Sequence, residues 1–98
     1  MRKNWASALV MAFLLAGTAA LAIAPVPAKD VKAGFVYIGP VGDGGWTYMH
    51  EKGRLEMEKA FPGLTSSIVE SVPEGPDSVR VMETFVRNGS KLVFATSF

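Results

Sequence analysis

The chain has 98 residues, a formal net charge of +1 and no cysteine. Without cysteine there is no disulfide framework, no thiolate metal site and no cysteine nucleophile. The balanced charge, with no basic block, gives no footing for nucleic acid or anionic lipid.

Residues 1–28 read as an export signal. Arg2 and Lys3 are followed by an uncharged, Ala- and Leu-rich run from Ala6 to Ala24, and Pro25 and Pro27 then break it. Of two small-x-small contexts, Val26-Pro27-Ala28 is preferred, because Ala22-Ile23-Ala24 would put Pro25 directly after the cut. An uncleaved anchor helix is the alternative, since the apolar run approaches the length of a short membrane span. Residues 29–98 would remain, with eight basic against nine acidic side chains. That is about half of an ordinary domain, and without disulfides it must depend on core burial alone.

From residue 29 onward the pattern alternates strand and helix. Lys32 to Ile38 is a short, nearly continuous apolar run with aromatic and β-branched residues, as expected of a strand buried on both faces. Gly39-Pro40-Val41-Gly42-Asp43-Gly44-Gly45 is dense in turn residues and ends it. From Trp46 to Phe61, the positions Trp46, Met49, Gly53, Met57, Ala60 and Phe61 recur at steps of three and four. They define an expected inward helix face, with Glu51, Lys52, Glu58 and Lys59 turned to solvent and Gly53 permitting close approach to a sheet. Pro62-Gly63 stops this helix.

A second strand is expected over Leu64–Glu70, with Ile68 and Val69 as its firmest core positions. A loop over residues 71–76 leads to a second helix, from Pro76 or Asp77 to Asn88, capped by Gly75 or Asp77 and burying Val79, Met82, Phe85 and Val86. Asn88-Gly89 ends it, and Lys91–Thr96 is the third strand. The fold class is therefore α/β. With right-handed crossovers, β-α-β-α-β gives part of a parallel, doubly wound sheet with the first strand in the middle. Three strands and two helices would leave apolar edges and much of one face bare. The sequence is accordingly expected to be the N-terminal piece of a longer protein, with a swapped or tightly dimeric small domain as the alternative.

In open α/β sheets, ligands bind beyond the carboxyl ends of the strands. Three segments lie there: Gly39–Trp46, Ser71–Pro76 and Ser97-Phe98. The first lets backbone approach a ligand closely and feeds a helix N-terminus. Trp46 beside these glycines suits stacking on a flat ring, or it is a core residue of the helix. Asp43 can accept hydrogen bonds from a ligand, or it caps the helix and closes the turn. His50, the single histidine, has no partner for metal or base chemistry and reads as solvated or packed. Glu51, Glu56 and Glu58 alternate with Lys52, Arg54 and Lys59 as a solvated face would. Neither a Ser-His-acid arrangement nor a Walker-type loop is present.

An exported dinucleotide enzyme is the competing class, with Glu70 as the acid ending the second strand. Its glycine spacing fails: Gly42 and Gly44 put Thr47 where the third glycine belongs.

The run from Gly34 to Tyr48 resembles the basic membrane protein (BMP) family of ABC transporter substrate-binding proteins, in particular its purine-binding branch. Glu70–Gly75 and Asn88–Phe98 extend the resemblance across the chain from Lys32 onward. It implies the first part of lobe I of a type I periplasmic binding protein fold, incomplete here. Two such lobes, joined by a hinge, close on a purine base or nucleoside and pass it to a membrane permease and its ATPase. The family's aspartate-x-serine-phenylalanine-asparagine motif falls on Asp43, Gly44, Gly45, Trp46 and Thr47, with threonine in place of asparagine. Its stacking aromatic is thus Trp46, and Ser97 and Phe98 follow the third strand at the cleft. The resemblance implies no enzyme activity and no cofactor. With no lipobox cysteine, a soluble periplasmic form is expected. A ligand sensor built on the same lobes is a further alternative.

Overall fold

A computed structural model describes residues 23–98; most of the expected signal segment, residues 1–28, lies outside the described residues. A single 3-10 turn over Ala28–Asp30 precedes the first strand. The elements then run β1 (Lys32–Val36), α1 (Trp46–Ala60), β2 (Thr65–Val69), α2 (Pro76–Arg87) and β3 (Leu92–Ala95). The sheet is parallel, ordered β2-β1-β3, so the first strand is central as the crossover rule requires. Each strand is shorter than its expected span. Ile38 falls outside β1 and is partly exposed, because the chain has already turned into the glycine-rich loop.

Two apolar clusters sandwich β1. On the α1 side, Ala33, Phe35 and Tyr37 are buried with Val41, Met57 and Ile68 packed on them. On the α2 side, Val36, Val72 and Phe85 are buried with Val81, Met82 and Val93. Between them Gly34 has a specific task. A Cβ built there would lie 2.4 Å from Cγ of Phe85, so the missing side chain is the space that the Phe85 ring fills. Pro76 occupies the first turn of α2 behind Gly75, whose φ of 97° is left-handed. Lys32 Nζ donates to the Asn88 carbonyl at the other end of that helix, 2.9 Å away, where a cation is favoured.

The structure corrects the expected face of α1. Trp46, Met49, Gly53, Ala60 and Phe61 are exposed, and a Cβ at Gly53 would meet nothing within 4 Å. The inward face instead carries Thr47, Glu51, Arg54, Met57 and Glu58. Glu51 and Glu58 are therefore not part of a solvated face. Arg54 donates to Glu51 through Nε (2.8 Å) and Nη2, and through Nη1 to Ser66 Oγ (2.8 Å) and Glu58 (3.2 Å). The Tyr37 hydroxyl donates to Glu51 at 2.9 Å, and Ser66 donates to Glu58. Burial and the Glu51 carboxylate push the Tyr37 phenol well above its usual range, and the Arg54 guanidinium holds Glu51 below its own. Only Glu56–Lys59 behaves as an exposed pair on α1. On α2, Met82 and Phe85 face inward as expected, but Val79 and Val86 are exposed and Ser78 and Val81 take their places. Val69 is likewise partly exposed rather than core, because it lies on β2 at the sheet edge.

Candidate functional site

The site grows from the loop between β1 and α1. Three hydrogen bonds and two left-handed residues fix its shape. The Asp43 N–H donates to the Pro40 carbonyl (3.2 Å) and closes a 3-10 turn over Val41–Asp43. Gly44 follows with φ 67° and ψ 9°, a left-handed conformation that glycine adopts without steric cost. From the neighbouring strand, Glu70 accepts the Val41 N–H at 2.8 Å, and the Ser71 N–H donates to the Gly39 carbonyl at 3.3 Å. Ser71 itself holds φ 54°, a left-handed conformation uncommon outside glycine. The acid at the end of β2 thus braces the loop by accepting from its backbone.

Asp43 caps α1. Its Oδ1 accepts from the N–H groups of Gly45 (2.8 Å) and Tyr48 (3.0 Å), and its Oδ2 from Thr47 (3.2 Å). These bonds, Gly45 first and Tyr48 next, hold its carboxyl below the usual carboxylate range. A carboxylate offers about four acceptor positions, so three backbone donors leave roughly one for a ligand. The carboxylate already satisfies three of the N–H groups at the helix start. An anion has little to gain there.

Trp46, the first residue of α1, is 60% exposed. Its indole Nε1 donates to the Thr96 carbonyl at 3.1 Å. Thr96 is itself tied to the central strand, donating to the Val36 carbonyl from N (3.2 Å) and from Oγ1 (3.1 Å). The indole is therefore anchored across the carboxyl end of the sheet while much of its surface faces solvent. His50 packs against it, with ring centroids 4.9 Å apart and planes at 63°.

Of the expected site residues, Asp43, Gly44, Gly45 and Trp46 are exposed on one loop and helix start. The Trp46–Thr96 bond brings Ser97 and Phe98 to the same end of the sheet. Thr47 is different. It is fully buried, its hydroxyl has no hydrogen-bond partner among the described residues, and a Cβ at Gly39 would come within 3.2 Å of it. It lies beneath the loop and not on the exposed side. The Thr96 carbonyl, the Glu70 brace and the His50 contact were not assigned to the site from the sequence. Glu70 alone gave a signal there, as an acid ending a strand, but its partner is backbone.

A groove lined by Val69, Arg80, Val81, Thr84, Phe85 and Asn88 runs along α2 and includes none of these residues. Among the described residues, no three potential metal ligands cluster, and no helix is long and apolar enough to cross a membrane.

A three-stranded parallel sheet ordered 2-1-3, alternating with helices, is consistent with part of an α/β lobe of the periplasmic binding protein fold. More closely, the chain belongs to the Bmp family, described as ABC transporter substrate-binding protein PnrA-like, which matches residues 30–98. It is 40% identical over 92 residues to a purine-binding protein of Brucella abortus (strain 2308), a match covering 93% of this chain and 25% of that relative. It is also 31% identical over 74 residues to a Haloferax volcanii protein named provisionally as the ABC transporter glucose-binding protein TsgA13, covering 76% of this chain and 19% of that relative. The chain thus spans about a quarter or less of the length of these relatives.

Proposed function

We propose that the full-length protein carrying this chain is the periplasmic substrate-binding component of an ABC importer, and that it takes a purine base or nucleoside between two lobes. In this reading residues 1–28 are a cleaved export signal and residues 29–98 begin the first lobe. The second lobe is encoded downstream, and the closed protein delivers its ligand to a membrane permease and its ATPase. It performs no catalysis and needs no cofactor. Closure around the ligand follows from contacts made by both lobes, which favour the closed state only when ligand is present.

The observation that carries the reading is the exposed, anchored indole of Trp46 at the carboxyl edge of the sheet. A flat π surface held in place gains from stacking without first being ordered. Beside it, Asp43 keeps an acceptor position for a ring or exocyclic N–H, and Gly44 and Gly45 leave room for close approach. Ser97 and Phe98 complete the near wall, and Thr47 supports the loop from below. The name of the Brucella abortus relative agrees with this ligand class. An aromatic shelf also suits the C–H face of a sugar, and the name of the Haloferax volcanii relative makes glucose the specific competitor.

The test is a fluorescence and calorimetric titration of the purified full-length protein with adenine, adenosine and glucose. Saturable binding of a purine, with a change in tryptophan emission, is expected. Binding of glucose with no response to any purine would overturn the assignment.

A further inference from the structure

We propose that His50 is a positioning residue for ligand stacking: it fixes the plane of the Trp46 indole, and so sets the angle at which a planar ligand is received. The ligand half of this statement rests on the function proposed above; the positioning half does not.

The Nε1–Thr96 hydrogen bond pins the indole at one point on its edge. With the covalent tether at Cβ as the other fixed point, the ring can still rock about the line joining the two, and a shelf that rocks must be ordered when ligand arrives, which weakens binding. A second contact off that axis removes the tilt. His50 supplies it from the next turn of α1, because residues four apart on a helix lie on the same face. Its ring meets the indole edge-to-face, at 4.9 Å and 63°, an arrangement that the aromatic quadrupoles favour. His50 is half-buried and Trp46 mostly exposed, so the histidine backs the shelf from the protein side. Among the described residues, this imidazole has no salt-bridge partner and belongs to no metal-ligand cluster.

The experiment uses the 15N-labelled full-length protein. The indole N–H resonance of Trp46 is assigned by its loss in Trp46→Phe. His50→Ala should shift and broaden that resonance and weaken adenine binding by roughly 3- to 10-fold, the range of an aromatic pair. His50→Phe keeps a ring edge against the indole and should restore both readouts. A merely structural histidine would instead lower the thermal midpoint without rescue by phenylalanine. An unchanged resonance in His50→Ala, or a shifted resonance with unchanged adenine affinity, would overturn the proposal. Should the wild type bind no purine, the ligand assignment fails, and the indole resonance, which needs no ligand, still decides the positioning.

Discussion

Trp46 and Thr96 are fifty positions apart, yet the indole N–H of one donates to the carbonyl of the other at 3.1 Å. The bond joins the start of α1 to the end of β3 and holds the ring over the sheet edge. Trp46→Ala should lower purine affinity by about 1–3 kcal/mol, the cost of losing one stacked base, or roughly 5- to 150-fold. The melting temperature should barely move, because most of the ring is already in solvent. Trp46→Phe keeps a ring and loses the N–H, and should fall between. Calorimetry alongside thermal melts checks all three.

Asp43 links stability to pH. Its carboxyl titrates lower in the folded protein than in the unfolded chain, because the N–H groups of Gly45 and then Tyr48 favour the charged form. The unfolded value is about 3.9. The stabilisation is therefore fully present above that value and is lost as the pH falls through the lower, folded one. Asp43→Ala should melt below the wild type at pH 7, and the gap should close as the pH drops below about 4. Glu51 is present in both proteins and cancels from the difference. A gap that stays constant down to strong acid would contradict the capping role.

Gly34→Ala places a Cβ 2.4 Å from Cγ of Phe85, with the sheet behind it and α2 in front. Overpacking of this kind costs about 1–3 kcal/mol. Urea denaturation should show the loss. Phe85→Leu in the same chain should reduce the added cost of the alanine, since the clash is with the aromatic ring itself.

Arg54 lies under α1 with few alternatives in water. Arg54→Ala leaves Glu51 and Glu58 without their cation; breaking a fully buried pair costs about 3–5 kcal/mol, and this partly buried group should cost less than that. Replacing Arg54, Glu51 and Glu58 together by apolar residues of similar volume should cost far less. Denaturant midpoints of the single and triple variants test this contrast. Equal losses would mean that the charges matter only through packing.

The order of strands and helices was legible because Gly39–Gly45, Pro62-Gly63, Gly75-Pro76 and Asn88-Gly89 punctuate the chain where the structure also breaks. The central place of β1 followed from crossover handedness. The face of α1 did not follow from hydropathy. Trp46, Met49, Gly53 and Ala60 recur with the same steps of three and four as Thr47, Glu51, Arg54 and Glu58, and of the expected stripe only Met57 stays on the inward side. The second set wins by satisfying its own polar groups against Tyr37 and Ser66. That pairing depends on residues from β1's end and from β2, which no local pattern displays. In the site, the glycines and Trp46 were visible by type. The Thr96 carbonyl was not, because any residue carries one.

The polar seam beneath α1 also works as an angular index. An oily interface tolerates a helix rolling about its axis, since one methyl group replaces another at small cost. Here the guanidinium has one seat, between two carboxylates and a serine hydroxyl, with a phenol locking the nearer carboxylate. A slip of one residue turns a helix by about 100°. It would unseat every one of those bonds and swing the indole at the helix's first residue away from the sheet's carboxyl edge. Two turns along the helix, a half-buried arginine dictates which way the tryptophan looks.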